Sequence, residues 1–335
     1  MTNWDKEYLK LCKRILEEGV EVENRTGINT IKVPSHHFHF DLDKEFPILQ
    51  TKQLFLKNAI TEILWIYQAQ SNDVNWLLER NNHIWDEWKI DDDGIYRIYD
   101  NKTKKLIGEK EFGKEFAGTI GTAYGWIVNK YKLIDKLLDA LKNNKTDRRL
   151  VMSLWQDEWL KTAVLPSCVW SSEWDVTDGK LNAWVHQRSC DVPLGLPFNV
   201  TQYSVLLSLL AKVSGLNPGT LDWSIKDAHI YVNQIDGIKE QIMNGKTLEY
   251  LNSKSKEELK ELKDSLESIQ NNKALNKIEQ KTLDGVNITL SEEKPYLWIN
   301  PEVKDFYQYD NSSELKDIKV KEYKHMGKIN FPIAQ

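Results

Sequence analysis

Cysteine chemistry is the first possibility that this 335-residue chain raises. Cys168 follows a Leu-Pro-Ser turn in the stretch "AVLPSCVWSSEWDV". Its thiolate could act as a nucleophile or as a metal ligand, although most free cysteines are small buried fillers without reactivity. Cys12 lies on an apolar helical stripe, and Cys190 has no CxxC partner. The three cysteines therefore indicate neither a disulfide framework nor a metal pair, and they favour a reducing cytoplasm.

Four arginines stand in segments that otherwise carry little exposed charge. They are Arg25 in "ENRTG", Arg148 and Arg149 in "DRRL", and Arg188 in "HQRSCDVPLGLPFN", where Ser189 follows directly. A guanidinium presents a planar fork of donors that suits phosphate oxygens, and a serine hydroxyl adds another donor. One such arginine alone is typical of a surface ion pair. The four together favour an anion-binding site.

Polar residues also interrupt apolar patterns at other places. Asn199 stands at the start of an apolar helix, where it could cap the helix or read a base edge with its amide. Glu62 lies among apolar residues in "TEILW". A buried carboxyl is costly unless it is paired or its pKa is raised, and raised carboxyls make good proton shuttles. His229 and Tyr231 in "DAHIY" fit either a half-buried strand end or a binding site.

The adjacent histidines of "HHFHFDL" could suggest a metal site. Only His37 and His39 share one face of the predicted strand, and no cysteine or glutamate stands nearby at ligand spacing. We therefore expect no bound metal in this protein.

The helices and strands that position these residues are expected to follow one another in the mixed order of an α+β fold. We expect helices over residues 4–15, ended by Gly19, over "LKNAITEILWIYQ", and over residues 132–142, 200–213 and 231–243. We expect strands in "INTIKV", "HHFHFDL", "LVMSLW", "SSEWDVT" and "KLNAWVHQRS", and near residues 221–225. Asp178-Gly179 predicts a hairpin between "SSEWDVT" and "KLNAWVHQRS".

Composition indicates a soluble globular protein. With 41% hydrophobic and 28% charged residues the chain can bury a sizeable core. The net charge is −5, so the overall charge gives no sign of the positive excess that is typical of nucleic-acid-binding proteins. Apolar runs such as "YSVLLSLLAKV" are too short to span a bilayer, and the N-terminus has no apolar signal core, so no membrane partner is expected.

Two polar stretches interrupt an otherwise single domain spanning residues 1–335. Residues 90–118 read as an insertion that could contain a small hairpin. Residues 247–290 carry many lysines and glutamates with a thin leucine stripe. A solvated helical excursion explains the second stretch better than a partner-binding arm does.

Five motifs, in this order along the chain, resemble the thymidylate synthase family: "TEILW", "NHIWDEW", "LPSC", "QRSCDVPLGLPFN" and "DAHIY". The resemblance runs from about residue 25 to residue 335, interrupted by the two insertions. It implies an α+β fold in which a large twisted mixed sheet is flanked by helices and two subunits pack sheet to sheet. The implied reaction is the reductive methylation of dUMP to dTMP by 5,10-methylenetetrahydrofolate, which leaves dihydrofolate and needs no metal.

The resemblance assigns the chemistry of the nucleotide to individual residues. Cys168 matches the nucleophile that adds to C6 of the uracil ring, and Arg188 is the natural group to lower its pKa. Arg25, Arg188 and Ser189 match ligands of the dUMP phosphate. Arg148 and Arg149 match a pair that reaches across from the other subunit, which implies a homodimer.

Further matches surround the base, the sugar and the reacting carbon. Asn199 matches the residue that pairs with the uracil edge, and His229 and Tyr231 match the groups that hold the deoxyribose hydroxyl. Glu62 matches a general acid and base that works through ordered water at O4. Tyr124 in "TAYGW" matches a tyrosine near the C5 proton.

The folate side is implied in the same way. Asp191, beside the dUMP subsite, matches a carboxylate that hydrogen-bonds the pterin ring, and Trp85 and Trp88 match the aromatic wall beside it. Lys52 matches a basic residue near the folate tail. The C-terminal "FPIAQ", with Ala334, matches a short tail that closes over both ligands.

Departures from the family pattern leave two alternatives. Val169 replaces the usual histidine after the nucleophile, "YGWIVNKY" replaces a Gln-x-Arg-x-Trp run, Lys226 replaces a glycine, and Gln335 replaces an aliphatic end. One alternative is a dUMP hydroxymethylase, in which water takes the place of hydride. The other is a catalytically silent nucleotide- or RNA-binding relative. Asn199 disfavours dCMP, because cytidylate-specific members carry Asp there.

Overall fold

The computed structural model describes residues 1–100 and 103–333. The helices of this described part are α1 (Asn3–Glu18), α2 (Leu56–Tyr67), α3 (Val74–Leu78), α4 (Gly125–Tyr131), α5 (Leu133–Asn143), α6 (Gly195–Val213), α7 (Ile235–Asn252), α8 (Lys256–Asn272) and α9 (Lys277–Thr289). The strands are β1 (Val20–Val22), β2 (Thr30–Asp41), β3 (Ile95–Tyr99), β4 (Leu106–Glu111), β5 (Val151–Ser153), β6 (Val169–Thr177), β7 (Lys180–Gln187), β8 (Cys190–Asp191), β9 (Asn217–Tyr231), β10 (Tyr296–Ile299) and β11 (Ile318–Lys321).

A mixed seven-stranded sheet, flanked by helices, organises the molecule. Its order is β1-β2-β9-β7-β6-β5, and β8 pairs with β9 beside this path. β7 and β8 run parallel to β9, whereas the other neighbours are antiparallel. The carboxyl ends of β7, β8 and β9 therefore point the same way, and the first residue of β6 joins them because Val169 pairs with Gln187. The expected α+β architecture is confirmed.

One long strand replaces the two that we predicted around Pro34. β2 runs through Pro34, which has no N–H to donate. Val33 pairs with Ala228 and Ser35 with Lys226, so the proline falls opposite Asp227. Asp227 adopts a left-handed conformation with φ of 56°, and the ladder resumes beyond it. On the same strand His37 and His39 both contact Oδ1 of Asp222, at 3.1 and 3.0 Å.

The helix predicted over residues 231–243 is α7, which begins at Ile235 and ends at Asn252. Two further errors in the predicted boundaries bear on the site. β9 is far longer than the predicted 221–225 and ends at Tyr231, so "DAHIY" belongs to the sheet. α6 begins at Gly195 rather than at residue 200, and Leu194 occupies its cap position. Asn199 therefore lies inside the helix and does not cap it. The predicted hairpin at Asp178-Gly179 is confirmed, with φ of 50° and 70° at these residues.

The two polar stretches form separate small structures on the surface. The first contains the hairpin of β3 and β4. The second comprises the end of α7 with α8 and α9, which pack together through a small cluster of Leu251, Leu259 and Val286. No helix in residues 1–100 or 103–333 is long and apolar enough to cross a membrane. The single-domain assignment stays a prediction.

Candidate active site

A cavity of about 900 Å³ lies where the carboxyl ends of β7, β8 and β9 meet the first turns of α6. Most of the residues that the sequence singled out line it, although they come from distant parts of the chain. They are Arg25, Glu62, Trp85, Trp88, Tyr124, Cys168, Arg188, Ser189, Asp191, Asn199, His229 and Tyr231. Convergence of so many polar groups on one concave space is typical of a ligand site.

Cys168 stands directly before β6, with Arg188 as its neighbour across the sheet. The Arg188 N–H donates to the Cys168 carbonyl at 2.9 Å, and the guanidinium lies 3.8 Å from Sγ. The carbonyls of Pro166 and Ser167 hold that guanidinium at 2.7 and 3.0 Å. Burial raises the pKa of the Cys168 thiol, while the positive charges of Arg188 and then Arg25 oppose the increase. The arginines therefore favour the thiolate, which is the nucleophilic form.

Cys12 and Cys190 differ from Cys168 in both position and chemistry. Both are fully buried in the core. Burial raises the pKa of Cys12 to about 12, and it raises the pKa of Cys190 well above its ordinary value. Among the described residues, Cys168 is the cysteine that lines the cavity.

Tyr124 contacts the nucleophile from the opposite wall. The Cys168 backbone N–H donates to its phenol oxygen at 3.1 Å. Tyr124 has φ of 45° and ψ of −108°, a strained conformation for a residue with a side chain. Burial raises its pKa well above the ordinary value, so the phenol keeps its proton at neutral pH. Strain of this kind is common at functional sites.

Glu62 projects from α2 towards the cavity between two donors. Trp85 Nε1 donates to one carboxyl oxygen at 2.7 Å, and Gln202 Nε2 donates to the other. Burial raises the pKa of Glu62 from 4.5 to about 7, and these two hydrogen bonds limit the increase. A carboxyl that titrates near neutral pH suits both acid and base catalysis.

A chain of hydrogen bonds fixes the direction of the Asn199 amide. Trp223 Nε1 donates to Gln187 Oε1 at 3.0 Å, and Gln187 Nε2 donates to Asn199 Oδ1 at 3.1 Å. Asn199 Nδ2 then donates to Gln202 Oε1 at 3.2 Å, and Gln202 donates to Glu62. An indole only donates, so the Trp223 end sets the direction of every amide in the chain, and the ionised form of Glu62, which only accepts, fits that direction. Asn199 keeps one N–H and one lone pair for a ligand.

β8 and β9 hold the remaining polar wall. Asp191 Oδ1 accepts from the Leu194 N–H at 3.0 Å, and its Oδ2 lies 3.1 Å from Gln234 Nε2. Burial raises the pKa of Asp191. Beside it, His229 Nδ1 lies 3.0 Å from the Asp227 carbonyl, and its ring meets that of Tyr231 edge-on at 5.2 Å.

Among the residues that the structure describes, three of the predicted site residues do not line this cavity. Arg148 and Arg149 are exposed, and Arg149 pairs with Asp147 at 2.9 Å. Lys52 is buried beneath the "VPLGLP" loop, where its Nζ donates to the Pro193 carbonyl; burial lowers its pKa to about 8. Ala334 lies outside the described residues. Their proposed roles stay predictions.

Sequence reasoning missed several residues of this site. Gln187, Gln202 and Trp223 complete the chain through Asn199, and Trp155 lies 5.4 Å from the Arg188 guanidinium. Gln187 stands directly before Arg188, and Gln202 lies one helical turn after Asn199. Their spacing from motif residues was therefore a usable signal. Trp155 offered no comparable signal.

Comparison with known proteins identifies the family. The model of a protein family described as thymidylate synthase matches residues 6–282 of this chain.

The chain belongs to the thymidylate synthase family.

Similar full-length proteins carry the same name. Thymidylate synthase from Clostridium beijerinckii is 40% identical over 334 residues, and thymidylate synthase 1 from Bacillus subtilis strain 168 is 33% identical over 353 residues. Each match covers all of both chains. The solved structure of the thermostable thymidylate synthase A from Bacillus subtilis superposes over all of both chains with a TM-score of 0.72 at 33% identity. The thymidylate synthase fold that the motifs implied is confirmed.

Replacement of Glu62 tests the electrostatic part of this site. Its pKa in the folded protein lies above the ordinary 4.5. The stability that this group contributes is therefore complete below about pH 4.5 and is lost as pH rises through 7. Glu62→Gln cannot ionise, so from pH 5 to pH 8 the wild-type unfolding free energy should fall by about 1–3 kcal/mol relative to the variant. Urea denaturation at several pH values measures this difference.

The matched control for this comparison is Glu79→Gln, which alters an exposed carboxyl. Its stability should follow the wild-type curve at every pH. Parallel curves for wild type and Glu62→Gln would show that the carboxyl is not perturbed by burial.

Proposed function

We propose that this chain is a thymidylate synthase that converts dUMP to dTMP, with 5,10-methylenetetrahydrofolate as the one-carbon and hydride donor. The observation that carries the proposal is one cavity in which Cys168, beside Arg188, shares the lining with Asn199 and Glu62, which Gln202 joins through two hydrogen bonds. Family membership supports the same reaction. It favours the synthase over a hydroxymethylase or a silent relative, because the similar proteins named above are thymidylate synthases.

Cys168 begins the reaction by adding its thiolate to C6 of the uracil ring. The S–C6 bond forms as the C5=C6 double bond breaks, and the electron pair moves through C5 to O4 as an enolate. Arg188 stabilises the thiolate, and Glu62 delivers a proton towards O4 through water. This addition makes C5 nucleophilic, so a difficult methylation becomes two easier steps.

Asn199 selects uracil because its amide direction is fixed. Uracil offers a carbonyl at position 4 and an N–H at position 3, which match the free N–H and lone pair of the Asn199 amide. Cytosine would place a donor against that donor. Rotating the amide to suit cytosine would set it against Gln187 and Gln202 as well.

The other wall suits a pteridine. When bound, the folate would supply the one-carbon unit and the hydride. Trp85 and Trp88 stand edge to face at 5.4 Å, and the bond to Glu62 holds Trp85 in place. Asp191 provides a fixed carboxyl for ring nitrogens, and Ile333 of the C-terminal segment lines the same space. A volume of about 900 Å³ is at the upper end for small-molecule sites, which suits two ligands together. The tryptophans would keep water away from the reacting carbon.

Tyr124 lies close to the nucleophile, where the proton of C5 must leave. Its protonated phenol would orient a water there rather than act as a base, because burial raises its pKa well above the ordinary value. After that proton leaves, the one-carbon unit would part from the folate and would still need a hydride; arrival of that hydride with expulsion of the Cys168 thiolate would complete the turnover.

A homodimer would complete the phosphate site. The outer face of the sheet exposes Trp170 and Trp184, and large exposed aromatic side chains on one sheet face mark an interaction surface. Arg148 and Arg149 precede edge strand β5 of that sheet and are both exposed; the Arg149 side chain, which pairs with Asp147 at the surface, is 85% exposed. We propose that both arginines bind the dUMP phosphate in the partner subunit, beside that subunit's own Arg25, Arg188 and Ser189.

Removal of the nucleophile tests the proposal first. Cys168→Ala should lower turnover by about a thousandfold or more while the protein stays folded and still binds dUMP. The measurement is the absorbance change as dihydrofolate forms from dUMP and the folate. Cys190→Ala is the control and should keep substantial activity. Full activity of the Cys168 variant would end its assignment as nucleophile.

Mixing two inactive variants tests the partner arginines. Arg149→Ala lacks the partner contact, and Cys168→Ala lacks the nucleophile. Subunit exchange would give hybrids in which one site has both residues intact, so activity should recover to about a quarter of the wild-type level. If fully exchanged mixtures stay inactive, Arg149 serves its own subunit.

Asn199→Asp tests base selection. A protonated carboxyl can accept from the cytosine amino group and donate to its ring nitrogen, whereas it no longer matches uracil. We expect kcat/KM for dUMP to fall and that for dCMP to rise, each by about tenfold or more, with Cys168 still required for both. An unchanged ratio of the two kcat/KM values would mean that the base is read elsewhere.

A further inference from the structure

Gln234 joins three parts of the cavity through one buried amide. It lies in the turn between β9 and α7 and is only 1% exposed. Its Oε1 accepts from the Tyr231 backbone N–H at 3.1 Å. Its Nε2 lies 3.1 Å from Asp191 Oδ2 and 3.0 Å from the Pro332 carbonyl. No sequence pattern singled out this glutamine.

The direction of the Gln234 amide is fixed by its partners. A backbone N–H only donates, so Oε1 must face Tyr231 and Nε2 must face the other two groups. The two hydrogens of Nε2 then serve one carboxylate oxygen and one carbonyl oxygen. Because the Leu194 N–H already holds Asp191 Oδ1, Gln234 completes the orientation of that carboxyl.

Gly237, in the first turn of α7, leaves space for Phe331 of the same C-terminal segment. A Cβ at this position would lie 2.5 Å from Cε1 and 3.0 Å from Cδ1 of Phe331. Lys52 Nζ lies 4.7 Å from the centroid of that ring on another side. A glycine inside a helix lowers stability by about 1 kcal/mol relative to alanine, so its presence here needs a reason. Room for Phe331 is that reason.

We infer that Gln234 is a positioning residue for the folate half of the reaction. It orients the Asp191 carboxyl and at the same time anchors the C-terminal segment, whose Phe331 packs against Gly237. If the C-terminal segment moved away, one hydrogen of Gln234 Nε2 would lose the Pro332 carbonyl as its acceptor. If the Asp191 carboxyl rotated, the other hydrogen would lose its acceptor. The position of the segment and the orientation of Asp191 therefore depend on each other. The inference rests on the proposed function, because it assigns Asp191 to the folate.

Two variants separate this role from a purely structural one. Gln234→Met removes all three hydrogen bonds. Gln234→Glu keeps an oxygen for the Tyr231 N–H but has at most one O–H to donate, and only when protonated, so it cannot donate to Asp191 and Pro332 together. We expect both to raise the KM for the folate by about tenfold or more, while Gln234→Glu leaves the Kd for dUMP within about twofold. The exposed neighbour provides the control, because Asn233→Met should leave both constants unchanged.

Gly237→Ala independently tests whether the packing of Phe331 against Gly237 holds the C-terminal segment in place. Displacement of Phe331 should raise the KM for the folate in the same direction as the Gln234 variants. It should also speed hydrogen–deuterium exchange across residues 328–333 by about tenfold. Lys239→Ala, an exposed change on the same helix, is the matched control.

The outcomes distinguish this inference from the proposed function. If wild-type protein forms no dihydrofolate, the proposed function fails, whatever the variants do. If wild type is active but both Gln234 variants keep the wild-type KM for the folate, the inference is overturned. An equal loss of affinity for dUMP and for the folate in Gln234→Glu would also overturn it, because that result indicates a general structural role.

Discussion

The enclosed carboxyl of Glu62 is the interaction on which the geometry of this active site depends. It accepts from Trp85 on one side and from Gln202 on the other. The first contact holds the aromatic wall of Trp85, and the second ends the chain of amides that leads to Asn199. One costly buried group therefore links this aromatic wall to Asn199. Its pKa of about 7 also gives the site a proton that can move at neutral pH.

The sheet topology explains how residues distant in sequence reach this group. β7 and β8 run parallel to β9, so Arg188, Asp191 and His229 emerge at one end of the sheet. β6 runs the other way, which places Cys168, directly before its first residue, beside Arg188. β2 then supports β9 along most of its length. The positions of Cys168, Arg188 and His229 are thus set by hydrogen-bonded strand registers rather than by flexible loops.

Sequence motifs predicted the membership of the site better than its internal connections. The charged and aromatic residues of "QRSCDVPLGLPFN" and "DAHIY" and the two tryptophans of "NHIWDEW" line one cavity. Gln187, Gln202 and Gln234 were missed because a glutamine in a sequence gives no sign of whether its amide is exposed or buried. Only the fold shows that each of them has donors and acceptors of fixed direction around it. Arg148 and Arg149 could not be placed from one chain, since their proposed ligand lies in another subunit.

Boundary errors had equally specific causes. Pro34 divided β2 in the sequence pattern, yet the ladder tolerates it because Asp227 breaks the pairing on the opposite strand. The last six residues of β9 were not predicted as strand because they are partly polar. They line the cavity or pair with β2, so their apolar and polar side chains do not alternate in the simple way that a sequence pattern detects. The first turn of α6 was missed because Gly195 and Pro197 are rare in helix interiors, although Pro is tolerated in a first turn.

Covalent capture of the nucleotide tests the central claim most directly. A dUMP that carries fluorine at C5 can accept the thiolate at C6 but cannot lose a proton from C5, so addition would be trapped. Incubation with this nucleotide and the folate should raise the intact mass of the protein, and peptide mapping should locate the adduct on Cys168. Cys168→Ala should show no mass increase. No adduct on wild type, or an adduct on Cys12 or Cys190, would contradict the account.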